Sequence, residues 1–142
     1  MLYNDPMIRS AILAATAIAA APALAAPDIA GDWVTQDRSA MIAIAPCGAR
    51  LCGTIARALI IKPGHAQTDV HNPDPRLRGR KLIGMTILSG FSPGRDRWEK
   101  GRIYDPESGK TYRSLLKLNP DRSLKVSGCI AFFCQSQRWT RR

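Results

Sequence analysis

The segment WEKGRIYDPESGKTYRSLLKL, residues 98–118, is the clearest indication of fold class in this chain. It contains two short runs of strand-forming character on either side of a single turn. In that turn Asp105 is a turn-initiating residue, Pro106 has the fixed φ that the next position needs, and Gly109 tolerates the left-handed conformation that closes a hairpin. The segment therefore predicts two antiparallel strands, residues 98–104 and 111–118.

Polar and apolar residues alternate after this turn, which is the period of a strand with one buried face. We expect the inward set to be Tyr112, Ser114, Leu116 and Leu118, and the outward set to be Thr111, Arg113, Leu115 and Lys117. Short apolar or β-branched runs recur between turns along the chain, with no long stretch of helical periodicity. The predicted strands are residues 32–36, 41–45, 53–60, 82–88, 98–104, 111–118, 124–129 and 134–140. The chain is therefore predicted to be all-β, a small antiparallel up-and-down β-barrel of about eight strands that closes to protect its edges.

The first 25 residues have the pattern of a secretory signal peptide. Arg9 precedes an alanine-rich apolar run that is too short for a permanent transmembrane helix, and small residues lead up to Ala25. A buried alanine-rich helix is the alternative, but the prolines at positions 22 and 27 argue against it. We predict cleavage near Ala25 and a periplasmic protein that does not span a membrane. Residues 26–142 then form one domain of a common size.

Two motifs of identical spacing, Cys47-x-x-x-x-Cys52 and Cys129-x-x-x-x-Cys134, contain all four cysteines. In an oxidising compartment four cysteines normally form two disulfides, for which three connectivities exist. We expect local pairing, because residues 46–52 read as strand, turn and strand. A four-thiolate zinc site is the alternative, although such sites belong mostly to reducing compartments. The second motif brackets apolar residues, 130–133, that either pack against the barrel end or are exposed for a partner.

A long irregular segment, residues 62–80, contains polar groups that could hold an ion: His65, Asp69, His71, Asn72 and Asp74. Long loops in small domains are often functional. The spacing of these residues matches neither an EF-hand nor a zincin. Because Asn-Pro and Asp-Pro are turn formers, we interpret the segment as a rigid loop over the barrel mouth. We predict no metal site and no cofactor.

The charge of the chain is strongly positive, with 21 Lys and Arg against 11 Asp and Glu and a formal net charge of +10. In a cytosolic protein this balance would suggest nucleic acid. Export argues against nucleic acid, so the expected anionic partners are lipid headgroups, lipopolysaccharide phosphates or cell-wall polymers. The alternative is that the basic residues only keep the outer strand faces solvated.

No complete catalytic motif is present in the sequence. Gly109-Lys110-Thr111 resembles the end of a phosphate-binding loop, but Tyr104 occupies the position of the required earlier glycine. There is no Gly-x-Ser-x-Gly motif, and Asp105 and Glu107 share a turn instead of facing a cleft. The sequence therefore supports no enzymatic assignment.

Several segments, in order along the chain, together resemble DUF2147, a bacterial family of exported proteins of unknown function. They are Gly31-Asp32-Trp33, Ile44-Ala45-Pro46-Cys47-Gly48 with Leu51-Cys52-Gly53, Asn72-Pro73-Asp74-Pro75, Leu82-Ile83-Gly84, Gly101-Arg102-Ile103-Tyr104-Asp105-Pro106 with Gly109-Lys110-Thr111-Tyr112, and Lys125-Val126-Ser127-Gly128-Cys129 through Trp139-Thr140-Arg141. The resemblance covers nearly the whole mature chain and implies a lipocalin-like β-barrel without an assigned activity or catalytic residues. Two positions depart from the more usual Asn and Gly of the family, namely His71 and Ala131.

The first and last strands have a further resemblance to lipocalin-like barrels. Gly31-Asp32-Trp33 is similar to their Gly-x-Trp start, and Trp139-Thr140-Arg141 is similar to their last strand. This resemblance predicts that Arg141 lies across the indole of Trp33, a cation–π contact of about 0.5–2 kcal/mol that we name the barrel latch. We expect residues 130–133 to lie next to it.

Eight-stranded barrels can enclose one small ligand or be filled by their own side chains. We predict an exported, monomeric barrel that binds a small apolar or amphipathic, lipid-like ligand in the cell envelope. The candidate ligand-binding residues are Trp33, Tyr104 and Tyr112, and the alternative is that these three side chains fill the core. The other function considered is a non-catalytic interaction module. It would dock on anionic envelope polymers or another exported protein through its basic face and Phe132-Phe133.

Overall fold

The computed structural model describes residues 15–20, 26–60, 63–64 and 66–142, in which eight antiparallel strands form a closed barrel. Each strand pairs with its neighbours along the chain, and the last pairs with the first, as predicted. The strands are β1 (Gly31–Val34), β2 (Ala40–Cys47), β3 (Arg50–Ala58), β4 (Thr86–Pro93), β5 (Trp98–Asp105), β6 (Lys110–Leu118), β7 (Leu124–Ile130) and β8 (Phe133–Arg141). One 3-10 turn, Pro75–Leu77, lies between β3 and β4. Most of the predicted leader lies outside the described residues, and residues 15–20 have no regular secondary structure.

Because the strands alternate in direction, the connections fall at two ends of the barrel. At one end, which we name the rim, lie the turns at residues 35–39, 106–109 and 131–132 and the long loop at residues 59–85. At the other end, which we name the base, lie the turns at residues 48–49, 94–97 and 119–123. The two disulfides, Cys47–Cys52 and Cys129–Cys134, pair the cysteines locally and lie at the base and the rim respectively.

Alternation within β6 follows the predicted pattern. Ser114 and Leu116 are buried and Tyr112 and Leu118 are half-buried, whereas the outward-facing Thr111, Arg113 and Lys117 are exposed. The prediction for β4 is wrong at its start, because residues 82–85 belong to the long loop. Gly84 has a φ of +88°, and the amide of Met85 closes a turn by donating to the carbonyl of Leu82 at 3.0 Å. A left-handed residue within a turn interrupts the extended backbone that a strand needs.

Large side chains fill the base half of the interior. Trp33, Phe91, Leu116 and Leu124 are fully buried, and Ile29 from the segment before β1 is buried with them. A side chain at Gly101 would overlap the ring of Phe91, so this glycine makes room for it on the neighbouring strand.

The segment before β1 is also fixed by two indole groups. Trp33 Nε1 donates to the carbonyl of Ile29 at 2.9 Å, and Trp98 Nε1 donates to the carbonyl of Pro27 at 2.8 Å. Both bonds satisfy indole nitrogens that are removed from water. The base of the barrel is therefore closed.

The barrel closes along a short seam between β1 and β8. Residue pairing there is limited to Trp33 with Arg141 and Val34 with Thr140, at the base. Towards the rim, the side-chain oxygen of Gln36 accepts a 2.7 Å hydrogen bond from the amide of Arg138. Residues 133–138 of β8 are exposed.

Candidate functional site

The rim half of the barrel interior is a cavity of about 480 Å³ that is lined by four adjacent strands. Its walls come from β5 to β8: Ile103, Asp105, Tyr112, Val126, Gly128, Ile130, Phe133, Gln135, Ser136 and Gln137. The register places most of these residues in facing pairs, such as Ile103 with Tyr112, Val126 with Gln137, and Gly128 with Gln135. Alternate residues of each strand face inward along its whole length. At the base these residues are large and fill the interior, whereas at the rim many are smaller or more polar and leave a cavity.

A second cavity, of about 290 Å³, adjoins the first and shares Ile103, Asp105 and Gln137 with it. Its apolar lining includes Ile42, Ile55 and Ile87 from the opposite strands. Its polar edge lies at the rim and includes Thr35, Asp37, Ser39 and Gln67. Together the two cavities form a space whose walls are partly apolar and partly polar.

Two glutamines bring hydrogen-bonding groups to this space. Gln137 Oε1 accepts a 2.9 Å hydrogen bond from Nε1 of the buried Trp139, which fixes the orientation of its amide. That orientation leaves the amide nitrogen available as a donor. Gln135 lies two residues nearer to the rim on the same face of β8, and its side-chain amide has no hydrogen bond within the part of the chain that the structure describes.

The long loop is fixed to the rim by Asp69, which is fully buried. Its carboxylate accepts hydrogen bonds from Tyr104 Oη at 2.6 Å, Asn72 Nδ2 at 2.8 Å and Arg80 Nη2 at 2.9 Å. Burial by itself raises the pKa of Asp69, but the three hydrogen bonds and the charge of Arg80 outweigh burial and hold that pKa below its usual value. A buried carboxylate with this many donors is stable as an anion.

The hydrogen bond between Tyr104 and Asp69 also changes the pKa of Tyr104. Burial, the hydrogen bond to Asp69 and the negative charge of Asp69 raise the pKa of Tyr104 to about 12. The Tyr104 hydroxyl is therefore protonated at neutral pH and donates its hydrogen to Asp69, so it cannot donate a hydrogen bond to a ligand.

A glycine allows the long loop to approach the turn between β5 and β6. Gly109 has a φ of +70°, and a Cβ atom at this position would overlap the carbonyl of His71. This contact and the Tyr104–Asp69 bond fix the loop from two sides.

The structure places the three predicted ligand-binding residues in different environments. Tyr112 lines the first cavity, and Tyr104 lines the second at the rim. Trp33 is fully buried at the base and lines neither. Sequence reasoning did not select Gln135 and Gln137, although the period of β8 would have placed both on the face of the buried Trp139.

The barrel latch residues are in contact at the base. The guanidinium carbon of Arg141 lies 4.5 Å from the ring centroid of Trp33, and Arg141 Nη1 donates to the carbonyl of Ala30 at 2.9 Å. The expectation that residues 130–133 lie next to this latch is wrong. Phe133 and Arg141 are at opposite ends of β8, because a nine-residue strand spans the whole wall of the barrel.

Metal-binding clusters and membrane-spanning helices were considered for the part of the chain that the structure describes. No three His, Cys, Asp or Glu side chains there are grouped so that they could hold a metal ion. The oxygens of Asp69 are instead occupied by protein donors. In the same residues, no helix has the length and apolar character that a bilayer crossing requires.

The barrel is similar to a solved structure of the lipocalin family, protein HP1028 from the human pathogen Helicobacter pylori. The match has a TM-score of 0.71 and covers 81% of this chain and 83% of that chain. The two sequences are 20% identical, so the similarity shows the fold alone. No curated protein shows significant sequence similarity to this chain.

At the family level the sequence match is extensive. The model of a family described as an uncharacterized protein conserved in bacteria, DUF2147, matches residues 31–141, which include all eight strands. The chain therefore belongs to the DUF2147 family, with a lipocalin-like barrel as its fold.

Proposed function

We propose that the protein is an exported barrel that binds a small apolar or amphipathic ligand in the rim half of its interior. The observation that carries this proposal is the unequal filling of the barrel. Side chains fill the base, whereas the rim half contains two adjoining cavities. A lipocalin-like barrel of eight strands has room for one small ligand.

The lining of the cavities favours an amphipathic ligand. Its apolar part would lie against Ile42, Ile55 and Ile87, and its polar part would lie near the amides of Gln135 and Gln137. Ligand sites of this kind combine apolar walls with a few placed polar groups. We propose Tyr112 as a ligand contact, since it lines the first cavity.

The cell envelope is the proposed location. Two disulfides fit an oxidising compartment such as the periplasm. The signal-peptide pattern in the first 25 residues supports the same location, with cleavage near Ala25.

Native mass spectrometry of the protein purified from its own periplasm tests the proposal. We expect a lipid-sized mass that dissociates on activation. A matching assay in solution follows the fluorescence of N-phenyl-1-naphthylamine, an apolar probe whose emission rises in a dry site. We expect saturable binding.

Gly128→Val is the decisive variant for this assay. A Cβ atom at Gly128 would meet Ile103 and Tyr112 at 3.6 Å, which is ordinary van der Waals contact, so added methyl groups would fill the cavity without a clash at Cβ. Thr111→Val, on the exposed outer face of β6, is the matched control. We expect Gly128→Val to weaken probe binding at least about tenfold, as loss of a well-packed site does, and Thr111→Val to bind as the unmodified protein does. Equal binding by both variants would overturn the proposed site.

A further inference from the structure

The turn between β7 and β8 exposes apolar side chains that the fold does not use. Phe132 is 101% exposed, Phe133 is 84% exposed and Ile130 is 64% exposed. We name residues 130–133 the apolar tip. The disulfide Cys129–Cys134 closes its neck, and Arg113 Nη2 donates to the carbonyl of Ala131 from the neighbouring strand. The tip is therefore held in place while its side chains remain in solvent.

The other exposed apolar side chains lie at the same end of the barrel. Among the described residues from position 26 onward, every large hydrophobic side chain that is exposed belongs to the tip or to the long loop. The members in the loop are Leu59, Ile60, Val70, Leu77 and Ile83. Both segments are at the rim. Within the described part of residues 26–142, the exposed large apolar side chains are thus confined to one end of the barrel, whereas unrelated surface side chains would be scattered singly.

Two arginines without a carboxylate partner lie next to the tip. Arg102 on β5 and Arg113 on β6 are directly opposite each other and face outward. Like charges in this position repel, and neither residue forms an ion pair within the described ranges. Both line an outer groove together with Lys100, the Cys129–Cys134 disulfide and Glu99, whose carboxylate pairs with Arg97. An anion bound in this groove would remove the repulsion.

We propose that the rim end docks on an anionic lipid bilayer, with the apolar tip inserted between headgroups and the Arg102/Arg113 pair bound to lipid phosphates. Insertion of a few apolar side chains together with adjacent cations is how peripheral proteins bind membranes. This inference goes beyond the proposed ligand binding. It also gives the cavity a source of ligand, because Ile130 and Phe133 line both the tip and the cavity.

A lipid surface fits these observations better than a protein partner does. A stable protein interface needs about 800 Å² of continuous, complementary surface on each side. Here the exposed apolar side chains are on separate loops and are interrupted by Arg76, Arg78 and Lys81. A fluid bilayer can accept such separated side chains one by one, and its anionic headgroups match the net charge of +10.

Vesicle binding tests the inference with the full mature chain. Co-sedimentation would compare vesicles of phosphatidylcholine with vesicles of phosphatidylcholine and phosphatidylglycerol. We expect binding to the anionic vesicles and much weaker binding to the neutral ones. The double variant Phe132→Ser/Phe133→Ser should bind anionic vesicles about tenfold more weakly, because membrane affinity follows the inserted apolar area. Phe132→Leu/Phe133→Leu keeps the apolar area and should retain most of the affinity.

The charge requirement is tested in the same assay. Arg102→Gln/Arg113→Gln should lose most of the preference for anionic vesicles. The control Arg95→Gln/Lys125→Gln removes two exposed charges at the base and should bind as the unmodified protein does. In addition, the emission of Phe132→Trp should shift to the blue on anionic vesicles, since Trp33 and Trp139 are already buried and the half-buried Trp98 lies at the base, away from the tip.

Three outcomes would overturn the inference. In the first, the unmodified protein binds neither kind of vesicle. In the second, Phe132→Ser/Phe133→Ser binds anionic vesicles as tightly as the unmodified protein does. In the third, a soluble polyphosphate retains the unmodified protein and this double variant equally well. The last would indicate docking on an anionic polymer through the basic surface. These outcomes are separable from the ligand proposal, because Gly128→Val should lose probe binding in solution and keep vesicle binding.

Discussion

The hydroxyl of Tyr104 on β5 donates a 2.6 Å hydrogen bond to Oδ1 of Asp69, a fully buried carboxylate in the long loop. The bond joins residues that are 35 positions apart in the sequence. Because Asp69 is removed from water, the hydrogen bonds that its carboxylate accepts stabilise its negative charge. This relationship positions the loop over the rim of the cavity.

Tyr104→Phe should destabilise the protein by about 1–3 kcal/mol, since the change leaves a buried anionic acceptor without one donor. Chemical denaturation measures the free energy of unfolding. Hydrogen exchange should show faster exchange at residues 67–82 than in the unmodified protein. The control is Tyr112→Phe, whose hydroxyl has no hydrogen bond among the described residues, and its unfolding free energy should change much less. Equal effects of the two variants would contradict the role of the bond.

The folded protein should lose stability on acidification partly through Asp69. Its pKa in the folded state is below the unfolded value, so its contribution is complete above the unfolded pKa of about 4 and is lost as pH falls through the folded pKa. Asp69→Asn should therefore be less stable at neutral pH and should have a flatter stability curve between about pH 5 and pH 3. Urea midpoints across this range measure the difference. An unchanged slope in the variant would show that Asp69 is not among the titrating groups.

Gly109→Ala should destabilise the protein more than Gly48→Ala does. Both glycines have positive φ, +70° and +61° respectively, so both variants incur the left-handed cost of about 1 kcal/mol. At Gly48 there is open space, whereas at Gly109 the new methyl group would overlap the carbonyl of His71. The difference in unfolding free energy between the two variants thus measures the contact of the loop with the turn. No difference would mean that the loop shifts at no cost.

Arg141→Gln tests the barrel latch. The variant loses the cation–π contact with Trp33 and the hydrogen bond to the carbonyl of Ala30, and we expect a loss of about 1–3 kcal/mol in unfolding free energy. Arg142→Gln, one residue later and exposed, is the matched control and should change stability by less than about 0.5 kcal/mol. If the two variants are equally stable, Arg141 does not act as a latch.

Ala131→Gly should stabilise the protein slightly. Ala131 has a φ of +50°, a conformation that favours glycine. Glycine relieves the backbone strain of the folded state but also raises the entropy of the unfolded chain. Because the first effect is larger, the free energy of unfolding should rise by at most about 1 kcal/mol. Ala43→Gly, in β2 where φ is not positive, should instead destabilise by about 0.5–1 kcal/mol. Thermal unfolding of both variants checks the opposite signs.

The sequence predicted the fold well where the signal is local. The turn at residues 105–109 and the alternation of β6 require only neighbouring residues, and both agree with the structure. The start of β4 was predicted wrongly, since an apolar run does not reveal that Gly84 adopts a positive φ.

The site was less predictable because it depends on contacts between distant strands. Tyr112 was selected as an aromatic residue, but the aromatic criterion also selected Trp33, which lies in the closed base. The strand period places Gln135 and Gln137 on one face of β8 with Trp139, but only the pairing of β7 with β8 shows that they face Gly128 and Val126 across a cavity wall. The part played by Asp69 depends on Tyr104, and no local pattern links the two.

The seam between β1 and β8 is held by few paired residues, which affects where the barrel wall can open locally. Two residue pairs close it, whereas eight pairs join β2 to β3. Local opening proceeds most easily where the fewest backbone hydrogen bonds must break together. The seam with the fewest paired residues is therefore the place where the barrel wall opens most easily, and it lies beside the wall that carries Gln135 and Gln137. Because both pairs lie at the base, widening of the rim part of the seam would break the hydrogen bond between Gln36 and Arg138 and would leave the base pairs intact.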